Sequence, residues 1–132
     1  RGPSIALIDV DRFKEINDRH SHAVGDRVLQ SLAALLRAHV RQGDLPARMA
    51  GDEFVIVFFD ADLGTARMAC ERLRGAVREF AWRELAPGVD VDISIGLAEA
   101  TPQDTMHTLL ARADEDMYRM KSVRRADDAP VR

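Results

Sequence analysis

The chain opens on a short apolar run, Ser4-Ile5-Ala6-Leu7-Ile8, which ends at Asp9-Val10-Asp11. An apolar run of that length with a polar stop predicts a buried strand delivering acids at its C-terminal end. A polar stretch from Arg12 to Gly25 follows, with short helical potential around Phe13 and Ile16. From Asp26 to Val40 the apolar positions Val28, Leu32, Leu35, Leu36 and Val40 recur at intervals of three and four, one face of an amphipathic helix. Gly43-Asp44-Leu45-Pro46 breaks it. Leu45 to Met49 then leads into a hairpin whose turn is Ala50-Gly51-Asp52-Glu53 and whose return is Phe54 to Phe59. Gly51 suits a tight turn because it tolerates positive φ. A second helix is expected from about Thr65 to Phe80, with Ala69, Leu73, Ala76, Val77 and Phe80 inward. Val89 to Ile95 alternates as a half-buried strand should. A last helix from about Thr105 to Lys121 turns Met106, Leu109, Leu110, Ala113 and Met117 to the core. Strand, helix, hairpin, helix, strand, helix predicts an α+β fold, a sheet with helices packed on it.

Composition narrows this picture without changing it. A chain of 132 residues, 46% hydrophobic and 31% charged, suits one soluble globular domain. A net charge of −3 argues against a broad nucleic-acid surface, so no nucleic acid polymer is expected as a partner. The single cysteine, Cys70, excludes an intrachain disulfide. No apolar run approaches the ~20 residues of a membrane span. Because Arg1 leads almost at once into the first strand, the chain reads as an excised fragment, with residues 126–132 a polar, disordered tail.

The chemistry lies in the acids. Asp9 ends a strand and Asp52-Glu53 sit at a hairpin tip that can lie beside it. Carboxylates converging from neighbouring strand ends suit Mg²⁺, which takes one or two protein carboxylates and leaves its other positions to water and phosphate. On spacing alone, acids at strand ends can equally be solvated.

The motifs go further. Ala50-Gly51-Asp52-Glu53-Phe54 resembles the GGDEF signature of the diguanylate cyclase domain family, with alanine for the first glycine. The likeness extends through Leu7 to Asp18, His22-Ala23-Val24-Gly25-Asp26, Asp92-Ile93-Ser94-Ile95-Gly96, and Ala113-Asp114 to Tyr118 and Lys121, in family order. The resemblance implies a family domain over residues 1–125 that lacks its N-terminal segment. It implies a palm-like antiparallel sheet of about five strands flanked by helices, similar to nucleotidyl cyclases. It also implies condensation of two GTP to cyclic di-GMP by a homodimer, with two Mg²⁺ per active site (or Mn²⁺). By motif, Asp9, Asp52 and the Val10 carbonyl would hold metal, and Glu53, catalytic beside Asp52, would assist metal binding or proton removal from the hydroxyl. Phe13, Lys14, Lys121 and Arg125 would meet the phosphates. Asn17 and Asp26 would read guanine, whose edge offers both donors and an acceptor. Alone, Asn17 would read as a turn cap and Lys121 as a solvated helix-end cation.

Arg41-Gln42-Gly43-Asp44 is an Arg-x-x-Asp pair five residues ahead of Ala50. Alone it would be a local salt bridge worth ~0–1 kcal/mol. In the family, the motif at this spacing is an inhibitory site for cyclic di-GMP, and Arg72 matches a secondary arginine of that site. Several positions depart from the pattern: Ala50, Ser21 for the usual glycine, Arg124 for glycine, and Ala126 for asparagine. Two functions therefore stay open. One is a working cyclase restrained by its product; the other is a degenerate domain that binds cyclic di-GMP or GTP and signals without synthesis. An upstream sensor or receiver domain and a cytoplasmic location are expected for either, including for a membrane-attached parent. His20 and His22 read as a solvated loop, Cys70 as a core thiol, and Met106, Met117 and Met120 as core filling; Trp82 could pack or be exposed.

Overall fold

β1 (Ser4–Val10) is buried on both faces, and its alternation sorts the molecule into two layers. Ala6, Ile8 and Val10 face one side, where Val28, Leu32 and Leu36 of α2 (His22–His39) and Ala66, Cys70, Leu73 and Val77 of α3 (Leu63–Glu79) complete the larger core. Ile5 and Leu7 face the other, against Leu109, Ala113 and Met117 of α4 (Met106–Asp127). A strand covered on both faces must be apolar at odd and even positions alike, which is why this run shows no alternation.

Residues 3–127 are described by a computed structural model. Besides those elements they contain α1 (Phe13–Arg19), β2 (Leu45–Ala50), β3 (Glu53–Phe58), a short 3-10 turn at Trp82–Glu84 and β4 (Ile93–Glu99). The strands form one antiparallel sheet in the order β2-β3-β1-β4. The α+β sheet flanked by helices is as expected, with four strands among the described residues rather than about five. Among the described residues no helix is long and apolar enough to cross a membrane. Of the tail expected at 126–132, residues 126 and 127 belong to the end of α4, and 128–132 lie outside the described residues.

Several elements shift from their sequence assignments for local reasons. α2 begins at His22, because Ser21 caps it, its hydroxyl accepting the Val24 amide at 3.0 Å. Ser21 has φ 166°, extended backbone that any residue adopts, so serine costs nothing at this glycine-like position. β4 starts at Ile93, not Val89, because its ladder with β1 ends at Val10, with one further bond from the Asp11 amide to the Asp92 carbonyl at 3.0 Å. Val89 and Val91 are nonetheless buried. Trp82 is buried, its indole N–H donating to the Val77 carbonyl at 2.6 Å, with its ring 4.5 Å from that of Phe80. Phe80 and Met106, expected inward, are exposed, and Met120 is only half-buried; of the three methionines Met117 alone is fully in the core. Met106 sits in the first turn of α4, ahead of the point where the helix meets the sheet.

α4 approaches β4 at Gly96. A Cβ there would fall 1.9 Å from the Ala113 carbonyl oxygen and 2.5 Å from the Met117 amide nitrogen. The helix can lie this close only over a residue without a side chain. Gly96→Ala should therefore lift α4 off the sheet and cost ~2 kcal/mol or more in urea unfolding; an unchanged midpoint would show that the helix can shift freely.

Candidate active site

The period of two that packs β1 also aims its acids. Asp9 follows Ile5 and Leu7 on the α4 side of the sheet. On α4, Leu109, Ala113 and Met117 recur every four residues, and the next step of that stripe is Lys121. Both stripes turn from apolar to charged at the same end of the sheet. The Lys121 Nζ stands 3.2 Å from Asp9 Oδ2.

The β2–β3 turn brings a second carboxylate. Asp9 pairs in register with Glu53, and the Val10 amide donates to the Asp52 carbonyl at 3.2 Å. Gly51 takes φ +53° at the tip, and the Arg48 Nε donates to its carbonyl at 2.9 Å. Asp52 thereby reaches hydrogen-bonding contact with Asp9. Burial raises the Asp9 carboxyl to about 6; the shared hydrogen bond and like charge of Asp52 push the same way, and Lys121 pulls against them without winning. Among the described residues no three His, Cys, Asp or Glu side chains gather as a metal cage. The Asp9–Asp52 pair is the smaller donor set that magnesium accepts, and a cation between the two would relieve their repulsion. Glu53 is exposed beside them. His20 and His22 join no such cluster, and Cys70 is a buried thiol pushed up to about 12 by desolvation.

Next to this pair the chain turns through Arg12, which has φ 52° and ψ 39°. Among the described residues it is the one non-glycine with positive φ, a conformation costing ~1–2 kcal/mol. Nothing in the residue pattern around Arg12 signals that strain. Phe13 and Lys14 follow as the first residues of α1. A groove of about 940 Å³ is lined by Asp9 and Asp11, by Arg12 and Arg78, and by Lys121 and Arg125. Lys14 is exposed and lies outside that lining.

Asn17 and Gly25 mark the contact of α1 with α2. A Cβ on Gly25 would fall 1.8 Å from Asn17 Oδ1 and 3.2 Å from the Phe13 ring. Asn17 Oδ1 is buried without a hydrogen-bond partner among the described residues. It does not cap a turn. Asp26, the next residue on α2, lines a separate cleft of about 450 Å³ with Leu29, Arg48 and Phe54.

Arg41 and Asp44 form a turn rather than a salt bridge. The Asp44 carboxylate accepts the Arg41 backbone amide at 2.9 Å and the Asp44 amide donates to the Arg41 carbonyl at 3.0 Å, with Gly43 at φ +99°. Arg41 and, on α3, Arg72 are exposed.

A polar cluster behind the acids was not legible as a site. Asp92 is raised by burial, but hydrogen bonds from Arg74 and the Ile93 amide, with the charges of Arg74 and Arg78, outweigh this and hold it below the usual carboxylate range. Arg124 reaches the same carboxylate at 3.6 Å.

Comparison with known proteins is consistent along the whole described chain. The profile of the family described as "Diguanylate cyclase, GGDEF domain" matches residues 3–127. The response regulator PleD of Caulobacter vibrioides is 43% identical over 122 residues, 90% of this chain and 27% of PleD. The diguanylate cyclase DgcM of Escherichia coli is 38% identical over 119 residues, 90% of this chain and 28% of DgcM. The chain thus spans little more than a quarter of these curated relatives. Among solved structures, the Pseudomonas aeruginosa diguanylate cyclase SiaD, in complex with its activator SiaC, superposes with a TM-score of 0.86 at 33% identity, covering 92% of this chain and 47% of SiaD. The coiled coil and GGDEF domain of DgcB from Caulobacter crescentus, in complex with c-di-GMP, gives 0.82 at 26% identity, covering 91% and 64%.

The crowding of Asp9 has a measurable consequence. Its folded carboxyl keeps its proton to about pH 6, against 3.8 for a free aspartate side chain, so the folded state binds more protons between those values. Stability from this group is present below the lower value and lost as pH rises through the higher one. In EDTA, Asp9→Asn should flatten the Tm profile over that window and raise Tm at neutral pH. An unaltered slope would mean that the two carboxylates do not crowd each other.

Proposed function

The chain belongs to the diguanylate cyclase GGDEF-domain family, and on that premise we propose that it is the cyclase domain of a longer signalling protein, condensing two GTP to cyclic di-GMP and two pyrophosphates. The observation that carries this is the meeting of Asp9 with Asp52, two carboxylates short of cationic compensation beside a groove rich in arginine.

Each protomer of a homodimer holds one GTP, and the 3′ hydroxyl of one attacks the α-phosphate of the other while pyrophosphate leaves. Asp9, Asp52 and the Val10 carbonyl would hold Mg²⁺, or Mn²⁺, which when bound would draw charge from the phosphate and ease loss of the hydroxyl proton. Glu53, exposed beside them, takes that proton. The amides of Phe13 and Lys14, the Lys121 ammonium and the Arg125 guanidinium hold the terminal phosphates. Asn17 turns its Oδ1 inward against Gly25, leaving its amide nitrogen to donate to guanine N3 while Asp26 accepts from N1–H and N2–H. Ala50 supports synthesis over a purely receptor role. It is not among the residues with positive φ, so alanine carries no backbone strain there.

Product inhibition is assigned to Arg41, Asp44 and Arg72. Arginine can donate two bonds to guanine O6 and N7, and aspartate can accept from N1 and N2. The exposure of both arginines leaves them available for it, and a related domain is known in complex with c-di-GMP. The setting proposed is cytoplasmic, where GTP is found, downstream of a sensor or receiver; one relative is named a response regulator.

Incubation with GTP and Mg²⁺, followed by measurement of cyclic di-GMP, tests the proposal. Asp52→Ala should lower turnover by at least ~100-fold, the scale of several kcal/mol of lost charge stabilisation, and leave cyclic di-GMP binding intact. No turnover by the unsubstituted dimer would favour the receptor role instead. Arg41→Ala should weaken cyclic di-GMP binding by about tenfold or more without lowering the uninhibited rate; unchanged affinity would remove the inhibitory site from these residues.

A further inference from the structure

Arg124 stands where the family resemblance leads one to expect glycine, and an extra guanidinium near a triphosphate site would ordinarily be taken as another phosphate ligand. Its surroundings say otherwise. It lies one turn beyond Lys121 on the sheet-facing side of α4, three-quarters buried. Its Nη2 is 3.3 Å from Asp11 Oδ2 and donates to Ser94 Oγ; its Nη1 is 3.6 Å from Asp92 Oδ2 and 3.5 Å from the Ile93 carbonyl. The partners are themselves held. Ser94 Oγ donates to Asp11 Oδ1 at 2.5 Å, and the Arg74 Nη2 lies 3.0 Å from Asp92 Oδ2. One planar fork therefore ties the last turns of α4 to the residue just past β1 and to the start of β4, with α3 joined through Arg74. Both of its terminal nitrogens face protein acceptors, which leaves about a quarter of the side chain at the groove that Lys121 and Arg125 also line.

We propose that Arg124 is a positioning residue, locking the C-terminal turns of α4 to the sheet so that Lys121 and Arg125 are held toward the groove beside Asp9. The lock is a property of the protein alone; its consequence for nucleotide rests on the cyclase function proposed above. A helix end is otherwise prone to fray, and a cation on a fraying turn loses binding energy to the cost of ordering it.

The test uses the full chain with Arg124→Gln, Arg124→Lys, Asp11→Asn and the Arg124→Gln/Asp11→Asn double variant. Glutamine keeps helix propensity close to that of arginine, so a change reflects the lost fork. Without nucleotide, hydrogen–deuterium exchange over the last two turns of α4 should speed up in Arg124→Gln and in Asp11→Asn by similar amounts, and no further in the double variant, because both cut the same tie. With GTP and Mg²⁺, KM should rise about fivefold or more with kcat within twofold, the scale of coupling expected within one charged network. Arg124→Lys should restore little, since an ammonium cannot span Asp11, Ser94 and Asp92 together. Unchanged exchange in Arg124→Gln, additive effects in the double variant, or full rescue by lysine would each overturn the proposal; the last would make Arg124 a simple phosphate cation. If the unsubstituted protein neither binds nor turns over GTP, the cyclase function falls, and the exchange data alone still decide the lock.

Discussion

The period of two in β1, enforced by burial on both of its faces, is the constraint on which the site depends. Ala6, Ile8 and Val10 can satisfy the larger core only if Ile5, Leu7 and Asp9 turn toward α4. A slip of one residue would exchange the two sets and send Asp9 into the core of α2 and α3, where an unpaired carboxylate is far too costly. Correct packing and correct aim of the acid are one event. The α4 stripe obeys its own period and arrives at Lys121 where β1 arrives at Asp9.

The site then holds charge in an arrangement the fold alone would not favour. Two carboxylates share a hydrogen bond in a half-buried setting, with one lysine as partial compensation. Arg12 sits in a left-handed conformation beside them. Such features persist where surrounding structure over-determines them, and here the surroundings are the two cores on either side of β1. The hairpin contributes in the same way: Gly51 and the Arg48 bond to its carbonyl fix the tip, and the Val10 amide fixes its distance from β1. A ligand cation would turn this local cost into binding energy.

Departures from the family pattern look different once their surroundings are known. Ser21 becomes a helix cap, and Ala50 ends β2 at an irregularity in its register with β3, without positive φ. Arg124 is absorbed into a network between helix and sheet. None of the three places an unsatisfied group or a strained backbone at the acids, and each is accommodated by a different means.

The amino-acid sequence by itself determined the class of fold, the helices, the central hairpin and the identity of the acids, because local periodicity and turn chemistry are properties of neighbouring residues. It also carried Asp9 and Asp52 as a candidate pair, through their positions at a strand end and a hairpin tip. It erred or fell silent where an element's environment comes from elsewhere. Val89 to Asp92 alternates like a strand but lies past the end of β1, where the Asp11 amide still reaches the Asp92 carbonyl and no ladder continues. Met106 has the right spacing for the core but precedes the helix's contact with the sheet. Trp82 needed the Val77 carbonyl and Arg124 needed Asp11, Ser94 and Asp92, partners 5, 113, 30 and 32 residues distant in sequence, respectively. Only the tertiary structure decided that Asp9 touches Asp52 and that Lys121 attends them, because electrostatic proximity between distant segments is set by how layers pack and not by any period along the chain.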